Sequence, residues 1–267
     1  MRSAPGMNIG LLKTSLVNFP GRVAATVFLP GCNLRCPFCH NAELACASVV
    51  SGPHVPEPGD ETYVSLQEAY AHLEKRARVL GGLAISGGEP LLSPALPELV
   101  AKARALGLAV KIDTNGTLPD RLLSILDDPR MRPDMIAIDV KTSPSRYGEL
   151  ATEPHAGDAL GAALGATLCR SLEIIELDRA NSRFPDGTAK SALKVEYRTV
   201  LVPGLVGEAD IRAIGALLPA DADWELAAFA PGVCLDPAWN DIAPYGPEET
   251  KRLAAIAQTL IPGAKIR

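Results

Sequence analysis

Three cysteines lie close together near the start of the chain, and their spacing is typical of a metal-binding loop. Cys32, Cys36 and Cys39 form a C-x3-C-x2-C pattern. Three thiolates on one short loop can ligate one [4Fe–4S] cluster, which leaves its fourth iron open to a small molecule. A structural zinc site, with His40 or Cys46 as the fourth ligand, is the alternative. Because structural zinc prefers paired C-x2-C motifs and the loop has one such pair, the spacing favours the cluster.

The other cysteines are scattered, and isolated cysteines such as Cys169 and Cys234 are most often small buried apolar side chains. A tight cysteine group holds metal rather than disulfides in a reducing compartment. No apolar window reaches the length of a membrane span, and the first residues have no apolar stretch of signal-peptide length. We therefore expect a cytoplasmic protein that does not contact a membrane.

The composition is that of a globular protein with an ordinary core. The 267 residues are 47% hydrophobic and 21% charged, which excludes global disorder. With 26 basic and 31 acidic side chains, the net charge is −5. Binding to nucleic acid through phosphate contacts is therefore not expected.

Polar residues recur at the ends of apolar runs or inside them. Glycines let a backbone approach a ligand closely, Glu89 can accept a hydrogen bond from an amine, and carboxylates can bind a hard cation. A charged side chain such as Arg198 within an apolar run needs a partner or a ligand. Taken singly, each motif is equally consistent with a turn, a helix cap or a structural ion pair. These motifs are Ser86-Gly87-Gly88-Glu89-Pro90, Asp113-Thr114-Asn115-Gly116, Asp139-Val140-Lys141 and Arg198 in Tyr197–Gly204.

The elements that carry these motifs alternate between strand and helix. The predicted strands are Arg22–Leu29, Leu83–Ile85, Leu108–Ile112, Met135–Val140, Ala192–Val202 and Trp224–Phe229. One predicted helix begins after Ser65, whose capping box uses Glu68. The other predicted helices cover Pro94–Leu106, Pro119–Leu126, Asp158–Leu177, Glu208–Leu218 and Pro247–Leu260. A polar connector is predicted over Ser48–Thr62. The alternation predicts a parallel sheet, which could form a closed barrel, a partial barrel or an open sheet. Barrels and open parallel sheets both place their active sites after the strands.

Taken together and in this order, the motifs resemble those of the radical S-adenosylmethionine enzymes, and within them the glycyl-radical activating enzymes. The resemblance covers about residues 8–230. Pyruvate formate-lyase activating enzymes share the DTNG, D-x-K and R-x-V-x-V-P-G motifs. The activating proteins of anaerobic ribonucleoside-triphosphate reductase are the most similar, through Ser15-Leu16-Val17-Asn18-Phe19-Pro20-Gly21, Val27-Phe28 and Cys39-His40-Asn41.

The resemblance implies a partial (β/α)6 barrel, of the kind found in triosephosphate isomerase but incomplete. It also implies one radical S-adenosylmethionine domain over residues 1–267. Its core would span about 22–230, with an N-terminal extension over 1–21 and a C-terminal helix over 247–260.

The resemblance also implies the cofactors and their residues. Three cysteines would ligate a [4Fe–4S] cluster, and S-adenosylmethionine would chelate the fourth iron. Phe38 would lie near the adenine. The remaining implied contacts are Gly87, Gly88 and Glu89 with the methionine amino group, Asp113, Thr114 and Asp139 with a monovalent cation, and Asn115, Lys141 and Arg198 with the cofactor itself.

The activity implied is reductive cleavage of S-adenosylmethionine at its C5′–S bond. A low-potential donor such as flavodoxin or ferredoxin would supply the electron. The 5′-deoxyadenosyl radical would then take hydrogen from a glycine of the partner, anaerobic (class III) ribonucleoside-triphosphate reductase. The alternatives are activation of another glycyl-radical enzyme such as pyruvate formate-lyase, radical chemistry on a small molecule, and a zinc-stabilised binding module. The stretch Leu226–Pro231 lacks a histidine found in some formate-lyase activators, which weighs against that target.

Overall fold

The computed structural model describes residues 7–47, 63–151 and 157–267, and these residues form one sheet flanked by helices. The strands run in the spatial order β3-β1-β2-β4-β5-β6-β7-β8-β9. Their bounds are β1 Asn8–Ser15, β2 Ala24–Leu29, β3 Tyr63–Ser65, β4 Gly82–Gly87, β5 Ala109–Thr114, β6 Met135–Asp139, β7 Lys194–Leu201, β8 Asp223–Ala228 and β9 Lys265–Ile266.

The six neighbouring strands β2, β4, β5, β6, β7 and β8 pair in parallel, and helices connect them. The helices are α1 Ala42–Cys46, α2 Leu66–Arg76, α3 Leu96–Ala105, α4 Pro119–Asp127, α5 Gly157–Ala180, α6 Glu208–Gly215 and α7 Pro247–Leu260. Within the described residues β3 and β9 are the sheet's two edges and do not pair with each other. The sheet is therefore a partial barrel, as the resemblance implies.

The predicted capping box at the start of α2 is confirmed. The Ser65 hydroxyl accepts a hydrogen bond from the Glu68 amide at 3.2 Å, and the Glu68 carboxylate accepts one from the Ser65 amide at 2.8 Å. These bonds satisfy two amide groups that a helix start would otherwise leave unpaired. The apolar face of α2 then buries Leu66, Ala69 and Leu73 against the sheet.

The N-terminal stretch expected as an extension contains a strand. β1 pairs antiparallel with β2, so that Gly10 lies opposite Phe28, and β1 also pairs with β3. The two-residue β9, three-residue β3 and five-residue α1 were not predicted, because elements this short show no clear hydrophobic period. The predicted connector over Ser48–Thr62 lies outside the described residues.

A buried ion-pair cluster holds α5 against the chain that enters β6. Arg132 donates to both carboxylate oxygens of Asp178, at 2.8 and 2.7 Å, and Lys190 donates to the same carboxylate at 2.6 Å. All three side chains are at most 4% exposed. No helix among the described residues is long and apolar enough to cross a membrane.

Candidate active site

The cysteine loop begins where β2 ends, and backbone hydrogen bonds fix its path. The Gly31 amide donates to the Leu44 carbonyl at 2.7 Å, and the Arg35 amide donates to the Leu150 carbonyl at 2.9 Å. Within the loop the Cys39 amide donates to the Cys36 carbonyl at 3.0 Å. The start and the middle of the loop are thus attached to other parts of the fold.

All three cysteines of the loop line one cavity of about 370 Å³ at the carboxyl ends of the parallel strands. Cys36 is buried, whereas Cys32 and Cys39 are partly exposed. Burial raises the pKa of the Cys36 thiol to about 12 and raises that of Cys32. A metal cation beside these thiols would favour their ionised form, because metal ligands bind as thiolates.

The loop fits a multi-iron cluster better than a single zinc ion. Among the described residues no three His, Cys, Asp or Glu side chains converge closely enough to hold one metal ion. A cluster spreads its ligands over several irons, so that they share a cavity without meeting at one point. Cys46, a candidate fourth zinc ligand, is exposed on α1 and does not line this cavity, although His40 does.

The Gly-Gly-Glu motif follows β4 and packs directly on the start of the cysteine loop. The Gly88 amide donates to the Leu29 carbonyl, and the Glu89 amide donates to the Gly31 carbonyl, both at 2.8 Å. A Cβ at Gly87 would lie 2.3 Å from the Leu29 oxygen, and one at Gly88 would lie 2.1 Å from the Gly31 oxygen. Both glycines are therefore required for the approach of two protein segments, and both also line the cavity.

The Glu89 side chain turns away from the cavity. Its Oε1 accepts hydrogen bonds from the Leu91 amide at 3.0 Å and the Thr114 hydroxyl at 2.9 Å, and its Oε2 accepts one from the Asn115 amide at 2.7 Å. The residue is fully buried, and burial raises the pKa of its carboxyl to about 7. Glu89 thereby joins the loops that follow β4 and β5, and its contact with the methionine amine stays a prediction.

The charged side chains of β5, β6 and β7 form a network on the inner face of the sheet. Arg198 Nε donates to Asp139 Oδ1 at 2.8 Å, and an Arg198 Nη donates to Asp113 Oδ2 at 3.3 Å. Lys141 Nζ donates to Asp139 Oδ2 at 3.3 Å, and Lys111 pairs with Asp113. Although burial disfavours the charged carboxylate, Arg198 and Lys141 hold the pKa of Asp139 at about 2.

This network bears on the cation site that the resemblance implies. The carboxylates of Asp113 and Asp139 are already neutralised by basic side chains of the protein. The Thr114 hydroxyl donates to Glu89. A monovalent cation would have to compete with Arg198 for both carboxylates, so the cation site stays a prediction.

The cavity collects almost all of the predicted site residues. Phe38 also lines it, and its ring lies 6.2 Å from that of Trp239. Glu89 is the exception. The predicted residues that line the cavity are Cys32, Cys36, Phe38, Cys39, Gly87, Gly88, Asp113, Thr114, Asn115, Asp139, Lys141 and Arg198.

The part of the cavity lining that comes from the C-terminal region was not predicted from the sequence. Glu225 and Ala227 of β8 line the cavity, and strand periodicity could have placed both on one face. Arg267 also lines it, because β9 pairs with β8 and the Arg267 amide donates to the Leu226 carbonyl at 2.8 Å. No motif identifies Arg267, since its position depends on this long-range pairing. The other lining residues outside the predicted set are Leu34, His40, Asn41, Ala45, Ser86, Thr199, Val200 and Phe229.

The segment after β8 packs over the cysteine loop. The Asp236 amide donates to the Pro37 carbonyl at 3.0 Å, and the Cys234 amide donates to Asn240 Oδ1 at 2.8 Å. With the Phe38–Trp239 ring contact, these bonds hold residues 231–240 beside the site. Val233 in this segment is largely exposed.

A partial parallel barrel with three cysteines on the loop after its first parallel strand defines a class of iron–sulfur enzymes. The family model of the radical SAM superfamily matches residues 26–163, and the chain belongs to this superfamily. It is therefore an enzyme, and its cofactors are a [4Fe–4S] cluster and S-adenosylmethionine.

Several characterised or named proteins are similar in sequence. A protein of Methanocaldococcus jannaschii named as a glycyl-radical enzyme activating enzyme is 27% identical over 259 residues, which cover 97% of this chain and 94% of that protein. The 7-carboxy-7-deazaguanine synthase of Methanopyrus kandleri is 35% identical over 155 residues, or 52% of this chain and 59% of that enzyme. The pyruvate formate-lyase-activating enzyme of Listeria monocytogenes is 32% identical over 149 residues, or 52% and 55%.

A solved structure supports the fold. SuiB of Streptococcus suis, determined with S-adenosylmethionine bound, matches with a TM-score of 0.53 and 14% identity. The match covers 91% of this chain and 51% of that protein. At this identity the comparison establishes the shared architecture.

Proposed function

We propose that this enzyme installs a glycyl radical on anaerobic ribonucleoside-triphosphate reductase. The observation that carries the proposal is the similarity to the Methanocaldococcus jannaschii protein, because it extends over 97% of this chain, beyond the superfamily core. The motif from Ser15 to Gly21 and the Cys39-His40-Asn41 sequence favour the reductase over other glycyl-radical targets.

The residues of the cavity have separate tasks in this proposal. Cys32, Cys36 and Cys39 hold the cluster, which when bound supplies one electron to cleave S-adenosylmethionine into methionine and a 5′-deoxyadenosyl radical. Lys141 and Arg198 provide positive charge where the carboxylate of S-adenosylmethionine binds. The apolar side chains of Phe38 and Phe229 exclude water from the reacting atoms.

The partners follow from the same chemistry. A low-potential protein such as flavodoxin or ferredoxin would supply the electron, and the target would present a glycine to the cavity. Residues 231–240 lie beside this cavity and are a candidate contact for the target. We also propose the cytoplasm as the compartment, because free thiols and a reduced cluster need a reducing environment.

The test is an anaerobic activation assay. Reconstituted enzyme, dithionite, S-adenosylmethionine and purified class III reductase are mixed, and electron paramagnetic resonance is recorded. We expect a glycyl radical on the reductase together with 5′-deoxyadenosine, and no such radical on a reductase whose glycine is replaced by alanine. If 5′-deoxyadenosine forms but the reductase carries no radical, the target is wrong.

Pyruvate formate-lyase in place of the reductase tests the nearest alternative target. A radical on the lyase and none on the reductase would assign the enzyme to the lyase. Gene context is an independent check, because an activating enzyme needs a large partner with a C-terminal glycyl-radical loop in the same genome.

A small-molecule substrate is the second candidate. It is favoured by the 35% identity to the 7-carboxy-7-deazaguanine synthase of Methanopyrus kandleri, which is higher than the identity to either activating enzyme named above. A protein-free metabolite extract replaces the reductase in the same assay. Stimulated 5′-deoxyadenosine formation, with 7-carboxy-7-deazaguanine detected by mass spectrometry, would support this candidate.

A further inference from the structure

Cys32 differs from the other two cluster cysteines in its hydrogen bonds. Its sulfur accepts one from the Leu34 amide at 3.4 Å and one from the Asn115 side-chain amide at 3.7 Å. Among the hydrogen bonds between described residues, none ends on the sulfur of Cys36 or Cys39. The Leu34 contact is local to the loop, but Asn115 reaches the sulfur from the loop that follows β5.

The Asn115 amide is held in one orientation by its neighbours. Its Oδ1 accepts hydrogen bonds from the Thr117 amide at 3.0 Å and the Thr117 hydroxyl at 2.6 Å. Its Nδ2 donates to Asn33 Oδ1 at 3.0 Å as well as to the cysteine sulfur. Turning the amide over would place an NH₂ group against the Thr117 amide and an oxygen against the Asn33 oxygen, so the N–H must face the sulfur.

The Asn115 backbone is fixed as firmly as its side chain. Its amide donates to Glu89 Oε2 at 2.7 Å, and the residue is only 4% exposed. Asn33 closes a ring of hydrogen bonds with Asn115 and Thr117, because its Nδ2 donates to the Thr117 hydroxyl at 2.7 Å. Asn115 therefore cannot retreat from Cys32 without breaking several buried hydrogen bonds.

We propose that Asn115 is a positioning residue that sets the reduction potential of the cluster through Cys32. One-electron reduction takes the cluster from the [4Fe–4S]²⁺ to the [4Fe–4S]⁺ state and adds negative charge to its thiolate ligands. A buried N–H donor stabilises that added charge, so it raises the potential. This inference needs the superfamily's cluster but is independent of the radical's target.

The first test measures the potential by redox titration, with the [4Fe–4S]⁺ signal followed by electron paramagnetic resonance and without S-adenosylmethionine. Asn115→Leu removes the donor, and Asn115→Asp replaces it with a carboxylate of the same shape. At a fixed potential we expect the ratio of reduced to oxidised cluster to fall about tenfold in Asn115→Leu, equivalent to about 59 mV for one electron. The fall should be larger in Asn115→Asp.

Asn41→Leu is the matched control. Asn41 lines the same cavity and is exposed, and its amide does not donate to a cysteine sulfur within the described residues. We expect its cluster to keep the wild-type potential. A merely structural role for Asn115 would lower the cluster content of the variants without moving the potential of the clusters that remain, and that result would overturn the proposal.

A second test keeps Asn115 in place and covers the case in which the Asn115 variants hold no cluster. Wild-type enzyme is grown with asparagine labelled with ¹⁵N in its side-chain amide, and electron–nuclear double resonance is recorded on the reduced cluster. A ¹⁵N coupling that is retained in Asn41→Leu, which removes the other labelled amide of the cavity lining, would support the contact with Cys32. A spectrum with no such coupling would overturn it.

Discussion

We expect each of the three cysteines of the loop to contribute one thiolate to the cluster, and Cys36 is the most deeply buried of them. Because two thiolates cannot hold the cluster in place, Cys36→Ala should abolish 5′-deoxyadenosine formation and lower the iron content. The matched control is Cys169→Ala, which removes a thiol on α5 outside the cavity. The control should keep both the cluster and the activity. Unchanged cleavage in Cys36→Ala would reject the ligand assignment.

Glu89 shows how burial shapes a single carboxyl group. Its raised pKa means that the folded protein keeps the proton at pH values where the unfolded chain has lost it. The contribution of Glu89 to stability is therefore greatest below its ordinary pKa of 4.5 and declines as the pH rises to about 7. Above that pH the Glu89 carboxylate is charged, and three hydrogen-bond donors still bind it.

Glu89→Gln tests this dependence, since an amide cannot titrate. The difference in unfolding free energy between wild type and Glu89→Gln should narrow by up to about 3 kcal/mol between pH 5 and pH 8. Urea unfolding of the cluster-free protein at several pH values measures it. Glu248→Gln, the same substitution at an exposed position, is the matched control. If the difference in unfolding free energy instead widens as the pH rises, the three hydrogen bonds stabilise the charged carboxylate more than burial destabilises it.

At the scale of elements, strand register assembles the site. β6 and β7 pair so that Asp139 lies opposite Arg198, and β5 places Asp113 on the neighbouring strand. The side chains point to the same face and meet at hydrogen-bond distance. A shift of one residue in either pairing would turn these charges to the opposite face, so the network also specifies the register.

The attachment of α5 offers a test at the same scale. Asp178→Ala leaves Arg132 and Lys190 as buried cations without their shared carboxylate, and we expect it to lower the unfolding free energy by about 3–5 kcal/mol. Urea unfolding monitored by circular dichroism measures the loss. Arg130→Ala removes an ion pair from an arginine that is 89% exposed and should cause no measurable change. Equal effects of the two substitutions would contradict this account.

At the scale of the whole molecule, segments from both ends of the chain meet around the cavity. The cysteine loop follows β2, whereas Arg267 arrives through β9. Residues 231–240 add contacts to the cysteine loop from the outside. A ligand in the cavity would therefore contact segments that are remote in sequence.

This arrangement predicts coupling between ligand binding and global stability. S-adenosylmethionine binds only the folded protein, so at a concentration 100 times its Kd it should raise the unfolding free energy of the cluster-loaded enzyme by about 2.7 kcal/mol. Anaerobic urea titration with and without the cofactor measures the effect. Cys36→Ala provides the matched case and should show little stabilisation. Equal stabilisation of both proteins would place the binding site away from the cluster.

The local features of this protein could be predicted from its amino-acid sequence. The cysteine spacing, the capping box at Ser65 and the bounds of α7 depend on residues near one another in the chain, so local patterns were enough to predict them. The order of polar motifs after successive strands likewise predicted a common site, because parallel strands bring their carboxyl ends to one edge.

The contacts that each site residue makes depend on the tertiary structure. Glu89 faces the loop after β5 rather than the cavity, Asp113 and Asp139 are paired with basic side chains, and Arg267 joins the wall. Each outcome depends on distances between strands that are far apart in sequence. A hydrogen bond or ion pair forms only when folding brings its partners within reach, and a one-dimensional pattern does not contain that distance.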